Sequence, residues 1–167
     1  MMSRTWVVLW AAMLCGCGDK APSGTTGASM DEAAARDVRG ELTKMLGAWE
    51  RLDPDFFVSG LAKEGFLAAY DFDLENKPVR IATHEDAIAY VTSMMSQVKA
   101  MGATLKVDVR SIDCRATSTV AWCAMEFDFT AKMPDGSVVS QPTRATATLR
   151  KGGDGWKWVQ WHSSLSK

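Results

Sequence analysis

Four cysteines, two histidines and a scatter of carboxylates are the residues of this chain with chemistry to offer. Cys15 and Cys17 stand two apart in Leu14-Cys15-Gly16-Cys17. As thiolates they would be half of a tetrahedral metal site, but no further ligands follow close by. Cys114 and Cys123 lie on two strand-like runs joined by a stretch suited to a hairpin. In an oxidising compartment, thiols facing each other across such a ladder would join as a disulfide. If their strand positions point apart, they stay as small buried hydrophobes. His84 and His162 are the side chains that titrate near neutrality unaided, and two histidines are too few for a multi-histidine metal site. Proton transfer in an apolar pocket needs a carboxylate and a hydrogen-bond donor facing one another, with burial tuning the acid. The candidates are Tyr70, Asp71, Asp128, His84 and His162, and His162, beside Trp161, is the first choice. Each has a plainer reading. Asp128 sits opposite in phase to Phe127 and Phe129 and so faces solvent. His84 lies at an exposed helix start, and His162 can hydrogen-bond across a sheet. Trp49 and Trp158 can wall a pocket or simply fill a core. Arg144 can meet an anion or stand on a solvated strand face. A Gly-rich phosphate loop and a Ser-His-Asp pattern are absent, and no cofactor is called for.

The segments that carry those residues change period half-way along the chain. Ala35, Val38, Leu42, Met45, Trp49 and Leu52 recur at spacings of three and four, which predicts a long helix opened by a Ser29-x-x-Glu32 capping box. Asp53-Pro54 is an N-cap followed by a first-turn proline, predicting a short helix over 54–61. Residues 65–73, GFLAAYDFD, read as a strand. Thr83, with Asp86 three places on, starts a third helix whose stripe runs Ile88, Val91, Met94 or Met95, Val98 and Met101, ending at Gly102. From there alternation replaces the helical period. TLKVDVRSIDC, TVAWCAMEFDFTAKM, SVVSQPTRATATLRK and WKWVQWHSS predict four long strands, with Pro142 at an edge, a bulge or a strand break. Helices first and a strand meander afterwards define an α+β class.

The N-terminus stands apart. Arg4 precedes Trp6–Leu14, nine apolar residues, too few to span a bilayer but the length of a signal-peptide core. The following Leu14-Cys15-Gly16-Cys17 resembles the bacterial lipobox. That resemblance implies removal of residues 1–16 and a diacylglyceryl thioether on Cys17, with more than one acyl chain giving stable anchoring. Residues 17–29 are small and polar and read as a flexible tether, leaving 30–167 as the domain. A formal charge of −1 over 167 residues provides no basic field for nucleic acid.

A tryptophan-bearing long helix, an Asp-Pro helix, a third helix and four antiparallel strands resemble the nuclear-transport-factor-2-like superfamily. The ending Gly155-Trp156-Lys157-Trp158-Val159-Gln160-Trp161-His162-Ser163-Ser164 is similar to that of SnoaL-like and ketosteroid-isomerase-like members. The resemblance implies three helices packed on a curved, mostly antiparallel sheet of four to six strands, wrapped as a cone around an apolar cavity. Trp49, Tyr70, Trp158 and His162 are then its expected pocket residues. Such domains serve as enzymes, ligand binders and dimerisation modules, so the fold does not select an activity. The leading expectation is a lipid-anchored cell-envelope protein whose domain binds a small apolar ligand or a partner. The alternatives are an isomerase- or dehydratase-type enzyme, or a homodimer formed through a sheet face carrying Trp122 and Trp161.

Overall fold

A computed structural model describes residues 29–166; the Cys17 site and most of the tether lie outside the described residues. Helix α1 spans Glu32–Arg51, and its buried stripe includes Val38 and Leu42, both fully enclosed. The cap is Asp31, whose carboxylate accepts from the Ala34 amide at 2.9 Å, rather than Ser29. The reason is tertiary: the Asp31 amide donates to Ala116 O at 2.8 Å, so the sheet fixes where the helix begins. Leu52, in the left-handed region, closes it. Helix α2, Pro54–Ser59, follows the expected Asp53 cap and first-turn proline.

Strands β1 (Ala68–Phe72) and β2 (Pro78–Ile81) form a hairpin. The Asp73 carboxylate accepts from the Glu75 and Lys77 amides and builds the turn. The sequence reading contains β1 but not β2, a four-residue edge strand opening on proline. Helix α3, His84–Ala100, has the expected capping box between Thr83 and Asp86. Among the described residues no helix is long and apolar enough to cross a membrane.

Strands β3 (Thr104–Ala116), β4 (Val120–Lys132), β5 (Val138–Gly152) and β6 (Gly155–Leu165) form an antiparallel meander. The β1–β2 hairpin extends it, with β1 parallel to β6, giving the mixed order β2-β1-β6-β5-β4-β3. Pro142 lies inside β5, where the Ser166 amide donates to its carbonyl. The donor that proline lacks thus falls where β6 runs out, at a strand break of the partner rather than of β5.

Two bulges bend the long strands. One lies in β3 at Arg110; the other lies in β6 at Val159, where Thr148 pairs with Gln160 but Leu149 pairs with Trp158. The extra residue reverses the alternation of β6. Trp156 and Trp158 are buried before it, and Trp161 is buried after it. The bulge backbone is satisfied from outside the meander. The Trp158 amide donates to Gly60 O, the Ala62 amide to Trp158 O, and the Leu67 amide to Val159 O.

A candidate ligand cavity with a buried carboxyl group

Where the helices leave the sheet uncovered, a cavity of about 310 Å³ opens. Its walls come from the end of α1 (Trp49), from α3 (Tyr90, Met94, Val98), from the loop after α3 (Met101, Ala103) and from the facing strands (Leu105, Phe129, Ala131). The lining is overwhelmingly apolar, and its polar members are already engaged. Tyr90 Oη donates to Phe72 O at 2.9 Å, Gln141 Nε2 donates to Asn76 Oδ1 at 2.7 Å, and Asp73 holds its own turn. The volume lies at the lower end of the range for small-molecule sites.

Trp49 and Phe129, ring centroids 5.7 Å apart and edge to face, belong both to this cavity and to a smaller inner chamber of about 40 Å³. The chamber has room for a small polar group or a couple of water molecules. Phe57, Met125, Phe127, Ala145, Trp158 and Trp161 supply its apolar wall, and Asp71 and Ser163 its polar one. Asp71 shares the inner face of β1 with Ala69 and is half-buried, facing the chamber. Trp161 Nε1 donates to Asp71 Oδ2 at 2.9 Å, and the Phe72 amide donates to Oδ1 at 3.0 Å.

Loss of hydration pushes the Asp71 carboxyl group up from 3.8 to about 6, against the hydrogen bonds from Trp161 and the Phe72 amide, which favour the ionised form. Burial likewise pushes the Tyr90 hydroxyl up, and the Asp71 carboxylate adds to the rise. One further group points to unmet polar capacity in this region. Trp158 Nε1 is buried with no hydrogen-bond partner, as is Trp156 Nε1 beneath α1. A carboxyl group that titrates near neutrality inside an apolar chamber is suited to exchange a proton with a bound molecule.

The SnoaL-like domain family model matches residues 72–166, more than half of the chain. The chain belongs to the SnoaL-like domain family. Solved structures share the fold across most of the chain. A Streptomyces avermitilis protein of the NTF2-like family, provisionally described as a dehydratase, superposes with a TM-score of 0.70 at 16% identity, covering 82% of this chain and 99% of its own. An NTF2-like protein of unknown function from Pseudomonas putida KT2440 gives 0.67 at 16% identity, covering 81% and 89%. A Novosphingobium aromaticivorans protein, provisionally described as an aromatic ring hydroxylase, gives 0.67 at 13%, covering 83% and 93%. At these identities the likeness is one of fold. No curated protein matches the chain.

Within this SnoaL-like domain the four expected pocket residues separate. Trp49 lines both cavities and Trp158 lines the inner one. Tyr70 and His162 do not reach either; they stack edge to face on the opposite side of the sheet, centroids 6.3 Å apart, and both are exposed. The cause is the Val159 bulge. Simple alternation from Trp158 would turn His162 inward, whereas the inserted residue turns Trp161 and Ser163 inward instead. The same shift removes Trp161 from the outer face, leaving Trp122 there, 43% exposed and flanked by Arg115 and Thr148, on a face that also carries the Arg110–Asp128 and Arg144–Glu126 ion pairs. Asp128 is therefore occupied by Arg110 on that face, and Arg144 stands solvated beside Glu126. His84 packs half-buried against Phe66 at the start of α3. Cys114 and Cys123 are directly opposed across β3 and β4 and are joined by a disulfide, S–S 2.11 Å. Asp71, one candidate among several in the sequence, is the carboxylate that, among the described residues, lines the inner chamber. Its signal was a charged residue in phase with Ala69, while Tyr70 between them took the other face.

Proposed function

We propose that this SnoaL-like domain binds one small, mainly apolar molecule in the cavity between α1, α3 and the sheet. We further propose that it does so at the bacterial cell envelope, anchored by an acylated Cys17. The observation that carries the binding reading is the apolar cavity of about 310 Å³ whose polar members are all internally bonded. Such a lining pairs with a ligand through shape and dehydration rather than charge. The test is titration with an apolar fluorescent probe that quenches tryptophan. Wild type should bind one probe per chain, and Ala131→Trp, which fills the cavity from β4, should not. No saturable binding by wild type ends the reading. The anchor rests on the lipobox, and intact mass of the envelope-extracted protein tests it: two or more acyl chains are expected, and none in Cys17→Ser.

Asp71 favours a second reading, an isomerase- or dehydratase-type enzyme. A ligand whose polar end passes Trp49 and Phe129 would meet a carboxyl group poised near pH 6. Asp71 would take a proton from a carbon beside a carbonyl group and return it elsewhere on the same molecule. Incubation of the protein with a small enolisable ketone in heavy water decides this. Deuterium should enter carbon positions with wild type and not with Asp71→Asn. Equal exchange in both would sink it.

A further inference from the structure

Three turns meet at the open end of the cavity: the β1–β2 turn, the α3–β3 turn and the β4–β5 turn. The hydrogen bond from Gln141 to Asn76 laces the first to β5. Gly102 of the second packs so close to the third that a Cβ there would lie 3.1 Å from Pro134 Cγ. Turn tips on a water-facing surface ordinarily carry polar side chains. These turns carry Leu74, Met101 and Met133, and the start of β5 beside them carries Val139; all four also line the cavity. Leu74 is 40%, Met101 42% and Val139 53% exposed, so the apolar lining continues outward onto the surface.

We infer that this rim docks on a lipid bilayer and that the cavity draws its ligand directly from the lipid phase. The inference rests on the cavity being a ligand site. Two features select lipid as the occupant. First, a molecule crossing a docked rim passes from hydrocarbon to apolar lining without meeting water, which an isolated apolar mouth in solution does not allow. Second, the chain lengths match. The chain enters the domain at Asp31, bonded to Ala116, and α1 then rises about 26 Å before Trp49 reaches the cavity. The residues from Cys17 to Asp31 extend at most about 48 Å. An anchor at Cys17 therefore leaves the rim free to turn onto the same bilayer, at high effective concentration. Asp73, Glu75 and Asp135 on these turns balance Lys77 on the first, Lys99 at the end of α3 and Lys132 at the end of β4, so docking is apolar and insensitive to salt.

The test is flotation of the mature chain, carrying Cys17→Ser to remove the anchor, with phosphatidylcholine vesicles. The protein should co-float, equally at low and high salt. A Met101→Glu/Val139→Glu variant should lose about tenfold in partitioning, the effect of replacing two apolar contacts by charge. Trp122→Glu, on the opposite sheet face, should co-float like the parent, and thermal melts of all variants should coincide. No flotation of the parent, or flotation unchanged by the rim substitutions, overturns the inference. So does a lipid-independent dimer that the rim variant dissolves, because the rim would then be covered by a second copy. Probe binding in solution without vesicles reports the cavity separately. If it persists while flotation fails, the cavity stands and the rim inference falls.

Discussion

Asp71 shows how one side chain acquires a property its type does not have. Its carboxyl group titrates at 3.8 in a solvated chain and near 6 here because the fold strips its water and returns fewer hydrogen bonds. The folded state therefore keeps a proton that the unfolded chain releases over that interval. Stability from this residue is fullest below about pH 4 and falls as pH rises towards 6, by about 3 kcal/mol in all. Asp71→Asn cannot ionise, so the difference in unfolding free energy, variant minus wild type, should rise by that amount from about pH 3 to about pH 7. Urea titrations across the range measure it; a flat difference would show that Asp71 is well solvated. Trp161 donates to the ionised form, so Trp161→Phe should push the Asp71 carboxyl group further up, visible as a shifted carboxyl resonance in NMR.

At the scale of elements, caps and turns follow local chemistry while strand phase does not. The Thr83–Asp86 box and the Asp53-Pro54 entry follow from residue type alone, and Thr83→Ala should cost about 1 kcal/mol. The start of α1 differs because a sheet carbonyl, Ala116 O, captures the Asp31 amide. The phase of β6 turns on a single inserted residue. Deleting Val159 sets Gln160 next to Trp158, so regular alternation keeps Trp161 and Ser163 inward while the acceptor of the Leu67 amide is lost; thermal unfolding should stay cooperative at a lower midpoint. The Cys114–Cys123 bridge closes only a short loop between neighbouring strands, so Cys114→Ala/Cys123→Ala should cost about 2 kcal/mol, read as a shift in denaturant midpoint.

Over the whole molecule, helices and sheet are fastened by α1 and left apart near its C-terminal end. Leu42, fully enclosed, belongs to the fastened part, and Leu42→Ala should cost about 3 kcal/mol with the denaturant slope unchanged. Near Trp49 the packing is incomplete, and that incompleteness is the cavity. A mixed sheet that bends at two bulges encloses more space than α1 and α3 can fill. Ligand capacity is thus a property of how layers fail to meet.

The amino-acid sequence alone determined the α+β class, the three helices, the four long strands and the family resemblance, because periods of 3.6 and 2 and the caps are written in neighbouring residues. It put Cys114 and Cys123 on neighbouring strands but left open whether they face each other, which the β3–β4 register decided. Only the tertiary structure decided which carboxylate faces inward. The Val159 bulge is held by Gly60, Ala62 and Leu67, far away in sequence, and no local pattern records that. Burial, and with it the chemistry of Asp71 and the exposure of His162, depends on which distant surfaces close over a residue.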